Sequence, residues 1–199
     1  GEHSRAADKL QQAREAAQVV HRGWSGLHAR FGDRALLRLW RAWVETTIAE
    51  SRRNSSFAII VDKLHRRLLL YRRGLPAGER AAELGANGLL RKEHSGDRAT
   101  PEGLYRVVQL KVGRSTRYYK ALLINYPNDE DRERYAAGKR RGTIPRRAGI
   151  GSLIEIHGDG GEGRDWTDGC VALSNQDMDW LFARVEVGTP VTIVGTCEQ

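Results

Sequence analysis

Cysteine is scarce in this chain of 199 residues: there are two, Cys170 and Cys197. They allow a single disulfide at most, and a domain of this length buries enough apolar surface to stand without one. A bridge would also consume Cys170, which sits in a chemically suggestive setting, so Cys170 is read as a free thiol and Cys197 as a bystander. Long hydrophobic runs are missing as well. With 40% hydrophobic and 29% charged residues the chain is too apolar for disorder, yet no uninterrupted apolar stretch reaches the length of a membrane span. Residues 1–20 lack a charged start followed by an apolar core, so no signal peptide is expected there. There is no internal repeat or low-complexity tract.

Acidic charge is in deficit. The 25 Asp and Glu against 33 Lys and Arg leave a net charge of +8, which suits an anionic surface such as nucleic acid, lipid headgroups or a carboxylate-bearing cell-wall polymer. Arginine clusters such as Arg52-Arg53 and Arg140-Arg141 come without zinc-finger spacing, an RNP motif or a basic heptad helix, which argues against nucleic acid. A metal site is not expected, because His157 and Cys170 have no further Cys or His at ligand spacing and Asp159, Asp165 and Asp168 follow no calcium-loop pattern. No phosphate cradle is expected either, since the glycines after His157 do not lead into a helix bearing Lys-Ser/Thr. No cofactor is called for.

What is present divides at about residue 55. Ala6, Leu10, Ala13, Ala17 and Val20 recur at helical steps over residues 4–22, with Gly23 and Gly26 as stops. A second helix is predicted from a cap at Asp33 to Ser51, carrying Leu36, Trp40, Trp43 and Thr47. Residues 1–54 are thus a helical extension, either docked on the rest or serving as a partner-docking or wall-binding arm. From residue 57 the pattern becomes short β-branched runs at 57–62, 67–71, 103–112, 119–125, 153–157, 170–173 and 191–194. The expected class is α+β, a mostly antiparallel sandwich or barrel-like domain over 55–199, with a short helix after the cysteine strand. Gly74–Gly78 reads as turn chemistry, 128–147 as a short helix and a loop able to close over substrate, and Asn175 as the cap of the helix bearing Met178, Leu181, Phe182 and Val185.

The chemistry concentrates in LIEIHGDGGEGRDWTDGCVALSN. An apolar strand delivers His157 to its end, a loop with Gly158, Gly160, Gly161 and Gly163 turns the chain back, and Thr167-Asp168-Gly169-Cys170 opens a second strand 13 positions after the histidine. A cysteine attacks as thiolate, and an imidazole able to take its proton is the least that covalent acyl transfer requires. Gly169 lets the main chain approach a scissile carbonyl, and the Cys170 amide with one neighbour is a candidate oxyanion hole. Thr167 and Asp168 are candidates to hydrogen-bond substrate or position the loop, with Asp168 suited to a cationic group. His94 lies in a polar loop and reads as solvated.

The order His-Gly, glycine-rich loop, Thr-x-Gly-Cys resembles the signature of YkuD-type L,D-transpeptidases, cysteine enzymes that remodel bacterial peptidoglycan. Thr100-Pro101-Glu102-Gly103-Leu104-Tyr105 resembles the family's TPxGxY segment, Lys120 to Asn128 resembles a stretch of a Gram-negative branch, and the similarity covers roughly residues 55–196. Gly169-Cys170-Val171-Ala172 is similar to the YafK-like branch, one member of which releases the outer-membrane lipoprotein from peptidoglycan. Ala172 stands where most of the family has arginine, and Asp168 where a small or basic residue is common.

The resemblance implies a Cys170 thioester formed at the diaminopimelate carbonyl of a stem peptide, His157 as base, and the Gly158 carbonyl orienting the imidazole. It also implies peptidoglycan as substrate, a peptidoglycan-linked lipoprotein as a second partner, and a periplasmic place of work. Transfer to an amine or hydrolysis then follows, and Ala172 inclines the reading to hydrolysis. The alternatives are a non-catalytic wall-binding or adaptor module that keeps the fold, and an unrelated cysteine peptidase.

Overall fold

The computed structural model describes residues 2–197, and leaves out the side chains of 2–4, 6–8, 19–20 and 22. The stripe positions Ala6 and Val20 therefore lie outside the described side chains. Two compact units divide the chain after Arg38. In the first, α1 (Glu2–Gly32) continues through Gly23 and Gly26 rather than stopping there. A glycine costs a helix only about 1 kcal/mol relative to alanine, too little to end it without a competing cap. The cap comes at Asp33, whose Oδ1 accepts from the amides of Ala35 at 2.8 Å and Leu36 at 3.2 Å and so starts α2 (Arg34–Arg53).

From Leu39 onward α2 belongs to the second unit, where Trp40, Thr47 and Ser51 are buried. A Cβ on Gly195 would stand 2.1 Å from Trp40 Cη2, so glycine alone leaves room for the indole. The Thr47 and Thr192 hydroxyls share a short hydrogen bond, and Ser51 Oγ donates to the Ser56 carbonyl at 2.7 Å.

The second unit is built on one mixed sheet of eight strands: β1 (Phe57–Asp62), β2 (Arg67–Arg72), β3 (Leu75–Ala81), β4 (Gly103–Val112), β5 (Lys120–Ile124), β6 (Glu155–His157), β7 (Val171–Ala172) and β8 (Pro190–Val194). Their order is β3-β2-β1-β8-β4-β5-β6-β7. Most pairs are antiparallel; β1 with β8 and β6 with β7 are parallel. One half of β4, Gly103 to Arg106, pairs β8, and the other, from Val107, pairs β5 across a register shift. The class is α+β, as the sequence suggests. The Gly74–Gly78 stretch is shorter as a turn than expected: Arg73 and Gly74 take left-handed angles at the turn, β3 begins at Leu75, and Gly78, with φ +150°, lies within that strand beside a register shift. An edge strand accommodates Pro76, which has no amide to offer a further neighbour.

Asn128 caps α3 (Asp129–Arg141) reciprocally: its Oδ1 accepts from the Asp131 amide at 2.9 Å while Asp131 Oδ2 accepts from the Asn128 amide at 3.0 Å. The loop after α3 is pinned, with Tyr135 donating to Ala148 O at 2.8 Å and Tyr126 to Ile150 O at 3.0 Å. Ser174, one residue before the expected cap, holds the start of α4 (Asn175–Phe182) by accepting from the Asp177 amide at 3.1 Å. Asn175 Oδ1 accepts instead from the Asp159 amide at 2.7 Å, tying the segment after His157 to that helix.

The core gathers Ile59, Val61, Leu70, Val191, Ile193 and their neighbours, and a buried charge pair, Lys63 with Glu102, is among the polar groups enclosed with it. Lys63 Nζ donates to Glu102 Oε1 at 2.7 Å, Thr100 O at 2.8 Å and Leu90 O at 2.9 Å, which fastens residues 90–102 to the end of β1. Removing one member of a buried pair leaves the other desolvated and uncompensated. Lys63→Met is therefore expected to lower unfolding free energy in urea by about 3–5 kcal/mol, with part recovered in Lys63→Met/Glu102→Gln; an unchanged midpoint for the single variant would contradict this.

Candidate active site

β6 is buried along its length and ends at His157. β7 runs parallel to it, Ile156 opposite Val171 and His157 opposite Ala172, so the 158–170 loop carries the chain across rather than back. Parallel pairing needs a connection of about a dozen residues, which that loop supplies. Continuing the register puts Cys170 beside Glu155, and the period-two alternation of strands gives Glu155, His157 and Cys170 one face.

His157 is fully buried. Its Nδ1 lies 2.6 Å from the Gly158 carbonyl, a contact that fixes the proton on Nδ1 and leaves Nε2 with a bare lone pair. Nε2 is buried and has no hydrogen-bond partner among the described residues. Burial lowers the imidazole pKa below its ordinary value, against the opposing pull of the Gly158 carbonyl and of the Glu155 and Asp159 carboxylates. Tyr118 stacks on the ring, centroids 3.5 Å apart and planes within 7°, and Trp166 meets it edge-on at 5.9 Å. Arg117 donates to the Tyr118 hydroxyl at 2.6 Å.

Cys170 is half-buried, and its Sγ lies 3.4 Å from the Glu155 amide and 3.7 Å from the Leu153 carbonyl. Thiol and imidazole stand on adjoining strands without a hydrogen bond between them. Burial pushes the thiol pKa up to about 11, with the Glu155 carboxylate adding to the rise and the Glu155 amide, Arg117 and Lys92 opposing it. Glu155 is neutralised in turn by Lys111 at 2.7 Å.

The turn before the thiol is tightly held. Thr167 Oγ1 accepts from the Gly169 amide at 3.1 Å and donates to the Cys170 carbonyl at 2.8 Å, so its hydroxyl is spent within the turn. Gly169 has φ +131°, and a Cβ there would meet the Ala99 carbonyl at 2.7 Å. Asp168 is exposed, faces Arg98 at 3.5 Å, and lines an open cleft of about 370 Å³ with Lys92, Arg98, Ser152 and Ile154.

Glu83 gathers the glycine loop. Its Oε1 accepts from Gly163 at 2.6 Å and Gly161 at 3.1 Å, its Oε2 from the Trp166 indole at 2.7 Å, and its main chain bonds Ala172 in both directions at 2.8 Å. Sequence reasoning missed Glu83, Lys92, Tyr118 and Trp166. Glu155 alone had left a signal, a carboxylate inside an apolar run. Among the described residues no three His, Cys, Asp or Glu side chains are grouped to hold a metal ion, and no helix is long and apolar enough to cross a membrane.

A family model for the YkuD L,D-transpeptidase catalytic domain matches residues 56–193. The Escherichia coli K12 protein YafK, whose name assigns it provisionally to the L,D-transpeptidases, is 34% identical over 97 residues, a match spanning 49% of this chain and 32% of YafK. This chain thus matches about a third of the length of its curated relative. Among solved structures, Bd1075 of Bdellovibrio bacteriovorus superposes with a TM-score of 0.53 at 25% identity, covering 71% of this chain and 49% of that one. Pgp2 of Campylobacter jejuni, titled a helical cell shape determining protein, superposes at 0.52 and 23% identity over 72% of this chain and 49% of its own.

The two thiols make a prediction. Burial raises both thiols, Cys170 to about 11 and Cys197, beside Asp62, to about 12, so Cys170 is the more readily ionised of the two. Because the pKa is raised, the thiolate fraction grows with pH: iodoacetamide labelling of Cys170, read by peptide mass, should rise about tenfold per pH unit from about pH 7 to about pH 10. Equal labelling of both cysteines at all pH values is the contrary result.

Proposed function

The chain belongs to the YkuD family of L,D-transpeptidase catalytic domains, and on that premise we propose that it is a cysteine-dependent acyl transferase or hydrolase acting on peptidoglycan stem peptides at the diaminopimelate carbonyl. The observation that carries this reading is the bare, buried Nε2 of His157, its tautomer set by the Gly158 carbonyl, on the strand that adjoins Cys170. In this reading the Cys170 side chain turns from the Leu153 carbonyl toward that nitrogen on substrate binding, since hydrogen bonds of this kind are often loose before substrate binds.

In the proposed reaction Nε2 takes the thiol proton and Sγ attacks the carbonyl carbon. The oxyanion draws on the Cys170 amide, since the Gly169 amide is engaged by Thr167. Collapse forms the thioester and expels an amine, D-alanine or the lysine of an attached lipoprotein, which leaves with the proton held by His157. An amine acceptor then gives a crosslink, and water gives hydrolysis. Ala172, apolar and buried beside the base, supports hydrolysis over recognition of a second anionic strand. Residues 55–199 form the catalytic domain in this reading and the helices of 1–54 its extension, with α2 from Leu39 built into the sheet's unit. The place of work is the periplasm.

One observation favours a second reading, a wall-binding adaptor that keeps the fold: at rest Cys170 Sγ contacts the Glu155 amide and the Leu153 carbonyl and makes no hydrogen bond to His157 Nε2.

Digestion of purified peptidoglycan, with and without bound lipoprotein, tests the proposal. The wild type is expected to release D-alanine or lipoprotein or to form new crosslinks, Cys170→Ala to do none of these, and His157→Gln to lose about 10²–10⁴ in rate. Wild-type binding without product would favour the adaptor.

A further inference from the structure

Lys92 is a buried cation that makes or breaks no bond in the proposed reaction. Its side chain is 4% exposed, and Nζ donates to Asp97 Oδ1 at 2.8 Å and to the His94 carbonyl at 3.3 Å. An ammonium has three donors; besides these two oxygens Nζ lies 6.0 Å from the centroid of the Tyr126 ring, so one N–H has no oxygen acceptor among the described residues. Asp97 does not depend on this pairing for its place, because it also accepts from the amides of Glu93 at 2.7 Å, His94 at 3.0 Å and Ala99 at 3.0 Å.

The ammonium sits beside the turn that presents the nucleophile. The point a Cβ on Gly169 would occupy is 3.5 Å from Lys92 Nζ, and Lys92 lines the cleft that also holds Asp168 and Arg98. Arg98 is half-exposed and faces Asp168, so water and that carboxylate moderate its charge. Lys92 is the shielded cation of the cleft, and a charge-assisted hydrogen bond gains most where water is excluded. Its field also reaches Cys170, where it opposes the rise of the thiol pKa.

We infer that Lys92 is the residue through which the cleft beside Cys170 recognises a carboxylate of its substrate, a role that rests on the stem-peptide reading above. In a stem peptide that carboxylate belongs either to the terminal D-alanine or to the side-chain end of diaminopimelate.

The test compares acids with their amides. On wild type and Lys92→Met, kcat and KM are measured for a tetrapeptide stem, for its D-alanine amide and for its diaminopimelate amide. The variant is expected to lose about 10–100-fold in kcat/KM on the free acid, mainly through KM, and far less on whichever amide lacks the recognised group. That amide names the carboxylate; equal losses on all three substrates overturn the inference. Site-resolved alkylation of Cys170 by iodoacetate and iodoacetamide needs no turnover, so it separates this inference from the function. The iodoacetate-to-iodoacetamide rate ratio should fall about tenfold in Lys92→Met and keep that difference at high salt, where long-range attraction is screened. An unchanged ratio overturns the inference even if peptidoglycan is processed, and a lowered ratio with no peptide turnover sustains carboxylate recognition while sinking the reaction. Should Lys92→Met fail to fold, protection of wild-type Cys170 from iodoacetamide by D-alanine but not by D-alaninamide supports the inference, and protection by both or by neither overturns it.

Discussion

The hydrogen bond between His157 Nδ1 and the Gly158 carbonyl is the constraint on which the site turns. It decides which nitrogen carries the proton, and burial then keeps the ring neutral by lowering its pKa. A neutral, oriented imidazole is a base with nothing yet to accept. The surrounding residues maintain that state: Tyr118 covers one face, Trp166 closes an edge, and Glu83 holds Trp166 and the glycine loop with a single carboxylate. Glu83 also ladders with Ala172, so the nucleophile strand and the loop that precedes it are fixed by one residue from outside both.

The thiol is in a different condition. The same burial that keeps histidine neutral keeps cysteine protonated, so the resting pair is uncharged on both sides. In the proposed reaction charge separation is created when substrate arrives, and Arg117 and Lys92 oppose the rise of the thiol pKa. Two cations from loops far apart in sequence thus bear on one sulfur, where the family pattern has an arginine two residues beyond the cysteine and this chain has Ala172.

How far the site was legible follows from where its parts come from. Cys170, His157 and the glycines lie within one short segment and are residue types with few other uses, so their grouping shows in the sequence. Glu83, Lys92 and Tyr118 arrive from segments 39 to 87 positions away from Cys170 or His157 and look locally like ordinary surface residues. The strands were legible wherever β-branched residues alternate. β3 was not, because Pro76 and Gly78 look like a turn until the strand's edge position removes the objection. The parallel run of β6 and β7 was hidden for a related reason: a glycine-rich loop looks like a reversal, and its length is what permits a crossing.

The place of β8 has a consequence for how the sheet assembles. Residues 190–194 lie between β1 and β4, so the last strand of the described residues is an inner plank of the sheet. Until it docks, β1 and β4 lack their common neighbour and Trp40 lacks Gly195. The middle of the sheet therefore closes only through pairings between residues 59–62 and 191–194, far apart along the chain.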